Sequence, residues 1–176
     1  QLKNDSKFID FAQKAVVGKS PKEAFPFNSR LAEIYIKRKS FGRASRFCQR
    51  MLAAYSGSEV PPGFDAGKWR EVKIRNFNIM GKNHYDGKRY PQAVRSFQNT
   101  LRLSSRNGMA FYYLGMSNWG AKDHVTAMKN LSKALSVQSR FAKVARSQLE
   151  ALYKASNNGS LDGLERRIKA AASELK

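Results

Sequence analysis

Cysteine is nearly missing from this chain, with Cys48 the only one in 176 residues. One thiol closes no disulfide within a chain and supports no cysteine-based metal cluster. A lone free Cys reads most simply as a small buried apolar residue. Histidine is almost as scarce, His84 and His124 being the only two, so the ligands of a metal site are too few and too scattered. No HExxH, GxSxG or phosphate-binding glycine loop occurs, and no paired carboxylates stand at catalytic spacing. The sequence therefore predicts no enzyme, no cofactor and no metal. Runs of 18 or more apolar residues are absent, so nothing in it is expected to span a membrane, and no signal-peptide pattern is visible. The chain begins at Gln1 without an initiator Met, which reads as an excised fragment or a processed form. Period-two alternation of β-branched residues is also lacking, and no strand is expected.

Acid is in short supply as well. There are 13 Asp and Glu against 33 Lys and Arg, a formal charge of +20. A surface so basic attracts anions at long range, so acidic proteins, nucleic acid and anionic membrane surfaces are the partner classes to weigh. The excess is even: +7 over residues 1–60, +7 over 61–107 and +6 over 108–176. No basic tail stands out, as a dedicated nucleic-acid arm would.

What the chain does have is a period. Segments 74–107 and 108–141 align at 34 residues: Phe77 with Phe111, Met80 with Leu114, Gly81 with Gly115, Ala93 with Ala127, Phe97 with Leu131 and Leu101 with Leu135. Segment 25–58 fits the same frame through Leu31, Ala32, Tyr35, Phe41, Ala44, Cys48 and Leu52, once a 15-residue insert at 59–73 is allowed. Pro61, Pro62 and Gly63 mark that insert as a loop. Asp65 then reads as a helix N-cap, so the next helix starts early. Residues 142–176 form a weaker fourth unit, with Ala145, Leu149 and Leu152 on one helix. Leu161, Leu164, Ile168, Ala171 and Leu175 describe a second, after a loop at Ser156–Ser160. Residues 1–24 hold one amphipathic helix over Asp5–Val17, either half a repeat or a cap, with Ser20-Pro21 and Pro26 separating it from the next unit.

Each period reads as two helices that cross closely. Gly81 and Gly115 sit in the middle of first helices, where Gly costs about 1 kcal/mol relative to Ala. A cost recurring in phase implies close packing, with Ala93 and Ala127 as small counterparts and Phe97 and Leu131 filling the space between units. Asp86-Gly87 supplies a turn, Pro91 fits a first helical turn, Gly120 ends a helix and Asp123 caps the next.

This large–small–large spacing over 34 residues resembles the tetratricopeptide repeat. The resemblance covers 25–141 without the insert, and 142–175 more loosely. Departures are Phe for the usual Trp, His84 and Asn118 for the usual Tyr, and Ser105 and Ser139 for the usual Pro. It implies an all-α, right-handed superhelix of about three and a half helical hairpins. It also implies a concave groove lined by first helices that takes a peptide. Carried onto this chain, the groove positions are Arg75, Asn78, Lys82 and Tyr85, then Met109, Tyr112, Met116 and Trp119, then Lys143 and Arg146, with Glu150 and Tyr153 beyond. Basic groups there flank an aromatic and Met-rich centre, the composition of a binding hot spot for an acidic peptide or protein. The same stripe of Tyr112, Met116 and Trp119 equally reads as packing against a neighbouring repeat. A Lys/Asn/Arg clamp for a C-terminal carboxylate is not matched, since Tyr113 and Ser147 stand at two of its positions. Nucleic acid remains the rival partner, through the basic and aromatic residues around Arg75–Arg95, although the paired base-reading residues of RNA-coding helical repeats are missing.

Overall fold

In the computed structural model the described residues are 2–137 and 139–175. Among them nine helices and no strand occur: α1 Leu2–Ala15, α2 Pro21–Lys37, α3 Phe41–Ala54, α4 Ala66–Asp86, α5 Tyr90–Leu103, α6 Gly108–Gly120, α7 His124–Ser136, α8 Ala142–Ser156 and α9 Leu164–Ser173. They fall into two compact units, residues 1–83 and 84–176, with the boundary inside α4.

The first unit is built on the α2–α3 pair, with α1 packed on α2. Helix α2 starts earlier than its prolines suggest. Ser20 accepts from the Glu23 N–H while the Glu23 carboxylate accepts from the Ser20 N–H, a reciprocal capping box, and Pro21 occupies the first turn. This cap carries the helix straight through Pro26, which the sequence places in the break. Leu31, Ile34, Ala44 and Cys48 are almost completely buried and form one core with Ile9 and Ala12 of α1. The insert is not a loose loop. Phe64 and Trp69 pack with Phe25 and Tyr55 in edge-to-face contacts, ring centroids 4.9–6.4 Å apart. Met51 and Ala54 complete this second core. Asp65 caps α4 as expected, accepting from the Lys68 N–H at 2.8 Å.

In the second unit α5, α6, α7 and α8 pack successively, and α9 returns onto α7. Phe97 and Leu131 are completely buried, each contributing about 1.5–3 kcal/mol relative to exposure. The close approach expected at Gly115 is present, but its partner is Leu131 rather than Ala127. A Cβ on Gly115 would lie 2.8 Å from Leu131 Cγ and 3.1 Å from the Leu131 backbone nitrogen. Gly120 is small because the Tyr90 ring lies against it, and Gly108 because Ser139 does. Helix α9 is shorter than the sequence pattern. Gly163, in the left-handed region at φ 82°, starts it, so Leu161 lies outside and is exposed.

Three corners between helices repeat in detail. Lys39, Lys88 and Lys122 all adopt left-handed backbone, at φ 54°, 55° and 66°. After each, a backbone N–H reaches back five residues: Ser40 to Tyr35, Arg89 to His84 and Asp123 to Asn118, at 2.8–2.9 Å. Lys88 and Lys122 stand 34 residues apart, and Lys39 precedes Lys88 by 34 plus the insert. The next helix in each case buries matching positions: Ala44, Ala93 and Ala127, then Cys48, Phe97 and Leu131, then Met51, Thr100 and Ala134. The sequence assigns these corners to Gly87 and Gly120. The left-handed residue is instead a lysine each time, although Gly carries that conformation at lower cost.

Candidate functional site

Of the ten expected groove residues, Arg75, Asn78 and Lys82 stand on α4 in the first unit, and the other seven belong to the second. Arg75 is exposed. Asn78 and Lys82 are half-buried and already take part in interactions within the chain. The Cys48 thiol in the same unit is buried. Burial pushes it up to about 11, against the opposing pull of Arg75, and its Sγ lies 3.4 Å from the Asn76 Oδ1 that accepts from it.

The second unit gathers an aromatic surface. Helix α6 carries Met109, Tyr112, Met116 and Trp119, all half-buried, at spacings of three and four that place them along one side. Tyr113, adjacent in sequence, links that side to its neighbours. Its ring meets Tyr85 at 5.4 Å, Tyr112 at 5.0 Å, Phe97 at 5.5 Å and Phe141 at 5.9 Å. Tyr112 stacks on Phe141 at 5.5 Å, and Tyr85 reaches Tyr90 at 6.2 Å. The result is a continuous run of rings from Tyr90 to Phe141, with the Arg140 guanidinium 5.2 Å from the Phe141 ring. Burial raises the phenols of Tyr85 and Tyr112, and each is raised further by neighbouring tyrosines. Both stay neutral near pH 7 and can donate hydrogen bonds.

Part of this surface does work inside the unit. Tyr112, Met116 and Trp119 pack against the core that contains Leu131, Ala145 and Leu149, and Met109 against the one containing Phe97. Their inner edges are structural and their outer edges face solvent, so one stripe serves both of the roles that the sequence leaves open. Tyr90, Tyr113, Arg140 and Phe141 join the surface without a signal in the sequence. Tyr113 falls off the 3–4 pattern of α6, and Phe141 precedes a helix, so periodicity passes over both.

The cations at this surface differ sharply. Lys143 is exposed in the first turn of α8, two residues after Phe141. Arg146, one turn on, is held by Glu150 and by Glu165, and both carboxylates raise its pKa. It is therefore committed within the unit. Tyr153 is buried and its hydroxyl donates to the Asp162 carbonyl at 2.6 Å, fixing the α8–α9 loop. His84 accepts from Arg89 Nε at 3.1 Å. Burial, and then Arg89, holds its pKa below the usual value. Among the described residues no helix is long and apolar enough to cross a membrane, and no cluster of three or more potential metal ligands occurs.

No protein-family model matches the chain, and no curated protein sequence matches it.

Proposed function

We propose that this chain is a tetratricopeptide-type helical repeat protein without enzymatic activity, an interaction module or assembly scaffold for an acidic peptide or protein. In this reading its hairpins stack as a right-handed superhelix. The observation that carries it is the corner that recurs at Lys39, Lys88 and Lys122 with the same hydrogen bonds and the same buried positions after it. Repeats of this kind present their first helices as a surface, and α6 sets Tyr112 and Trp119 beside Met109 and Met116 along one side. Rigid aromatics offer contact area at little entropic cost, and Met adapts to uneven partners.

The acidic preference rests on the net charge of +20 and on Lys143, exposed beside Phe141. Peptides selected by this chain from a random displayed library should be enriched in Asp and Glu beside an apolar anchor. Lys143→Glu should weaken them about tenfold or more, and Met116→Ala should weaken them too, with unchanged circular dichroism. Reversing Arg146 is a poor test, because it breaks two internal ion pairs. Selected peptides with no acidic bias, or binding that survives both substitutions, would remove the basis for the reading.

A further inference from the structure

Helices α3, α5 and α7, which follow the three lysine corners, carry no acidic residue at all. In α3 this leaves Arg43, Arg46 and Arg50, all exposed, within residues 34–58, a stretch that holds no Asp or Glu. Among the described residues none of the three pairs with a carboxylate. The contrast is α7, where Lys129 and Lys133 share Glu174 at 2.9 and 2.8 Å. The α3 arginines are nonetheless held in place. Tyr35 and Phe47 stack with centroids 5.5 Å apart and planes within 3°. Arg43 lies 5.6 Å from the Tyr35 ring, and Arg50 lies 5.7 Å from the Phe47 ring.

Two recesses open beside these arginines, both inside the first unit. One, about 390 Å³, is lined by Gln13, Tyr35, Arg43, Arg46 and Phe47. The other, about 470 Å³, has Lys19 and Arg50 as its cations and apolar walls that include Val16 and Ala53, and it reaches Asn28. Gln13 of α1 lines both. Asn28 is only 3% exposed, and its Oδ1 is a buried acceptor without a hydrogen-bond partner. Such a group is destabilising unless something donates to it. Its place in the 34-residue period, with the insert allowed for, is held by Phe77 and Phe111 in the other two segments. A bulky apolar position has become a small amide that faces an open recess.

We infer that the α1–α3 side of the first unit binds a single strand of nucleic acid. Arg43 and Arg46 would hold one phosphate in the smaller recess, Arg50 and Lys19 another, and a base N–H or ribose hydroxyl in the larger recess would donate to Asn28 Oδ1 once the amide turns outward. Seven residues of helix separate Arg43 from Arg50, about 10 Å along the axis, a span that two or three backbone phosphates of a strand cover. Guanidinium forks suit phosphate oxygens bidentately. Tyr35 and Phe47 are buried and occupied by one another, so they offer no face for base stacking. Binding is therefore carried by charge and by the Asn28 recess. A nucleotide supplies both acceptors for the arginines and a donor for Asn28 within one unit, whereas an acidic side chain at neutral pH supplies only the acceptors and leaves the donor to its backbone.

The test is fluorescence anisotropy of the full chain with 5′-fluorescein octauridylate, titrated between low and moderate salt. Affinity should fall linearly on logarithmic axes. Arg43→Ala with Arg46→Ala should make that slope shallower by about 0.7, the loss of one single-strand phosphate contact. Asn28→Leu should weaken binding about tenfold with the slope unchanged. Its melting temperature should hold or rise, because an unsatisfied acceptor is removed. Fluorescein-labelled octaglutamate bound as tightly as octauridylate at the same salt would overturn the inference in favour of an acidic peptide. So would an unchanged slope in the arginine variant, an unchanged affinity in Asn28→Leu, or no binding of the oligonucleotide.

Discussion

Adding one methyl group at Gly115 pits two opposing effects against each other. Alanine is the better helix former by about 1 kcal/mol, and Gly115 lies inside α6. The new Cβ, however, would stand 2.8 Å from Leu131 Cγ, 3.1 Å from Leu131 Cδ2 and 3.1 Å from the Leu131 backbone nitrogen. The side-chain contacts could be relieved by a rotamer change, but Leu131 is completely buried and has little room to turn. The backbone contact moves only if α6 and α7 separate. Overpacking of this kind costs about 1–3 kcal/mol, and a backbone obstacle belongs in the upper part of that range. Gly115→Ala should thus lose about 1–2 kcal/mol net, a fall in melting temperature of about 2–8 °C for a chain of this length. Leu131→Ala alone should cost about 2–5 kcal/mol. In that background the obstructing Cγ and Cδ2 are gone and only the backbone contact is left, so Gly115→Ala should cost clearly less than in the wild type. Urea denaturation of the four proteins of the cycle gives the coupling directly. A wild-type chain stabilised by Gly115→Ala, or an equal effect in both backgrounds, would refute the close-packing argument.

The corner lysines make a second case: Lys122→Gly should raise stability by about 0.5–1 kcal/mol in urea titration, because φ 66° strains a residue with a Cβ, and a loss would show that the lysine side chain is needed there. For His84 the direction of the pKa shift sets the pH dependence. Its folded value is depressed by burial and by Arg89, so below about pH 6.5 the unfolded chain binds the extra proton. Its contribution to stability is whole above that pH and is lost as the pH falls. The denaturation midpoint should drop between pH 7.5 and 5.5, and less so in His84→Asn, which places at this corner the residue found at position 118; identical drops would assign the effect to other groups. Cys48, buried and with its thiol pushed up to about 11, should react with an alkylating reagent at pH 8 only as fast as the chain opens, and rapidly in denaturant. Fast labelling of the folded protein would contradict its burial.

The helices and their buried faces are legible because a small residue and a bulky one recur in phase, and Ala93, Phe97, Ala127 and Leu131 are all completely buried. Corner chemistry is less legible. Glycines near helix ends attract the assignment of left-handed backbone, yet Gly120 is helical and small for the Tyr90 ring, and Lys122 makes the corner. Pro26 reads as a boundary only while the reciprocal cap at Ser20 and Glu23 is left out of account. Arg146 reads as a groove cation because its second partner, Glu165, is brought to it by the α8–α9 loop and not by helical spacing. The Asn28 recess is hidden for a different reason. It is marked by the want of an aromatic residue where Phe77 and Phe111 stand, and periodicity registers what is present more readily than what has been exchanged.

Glu174 gives the last helix a second duty. Its carboxylate, just past the end of α9 and held below the usual range by Lys133 and Lys129, screens two cations of α7 while Leu164 and Ala171 of α9 are buried. A chain cut before α9 would expose a greasy flank and two naked ammonium groups at once. The combination attracts amphiphiles and other chains, and such a truncation should leave the protein adhesive.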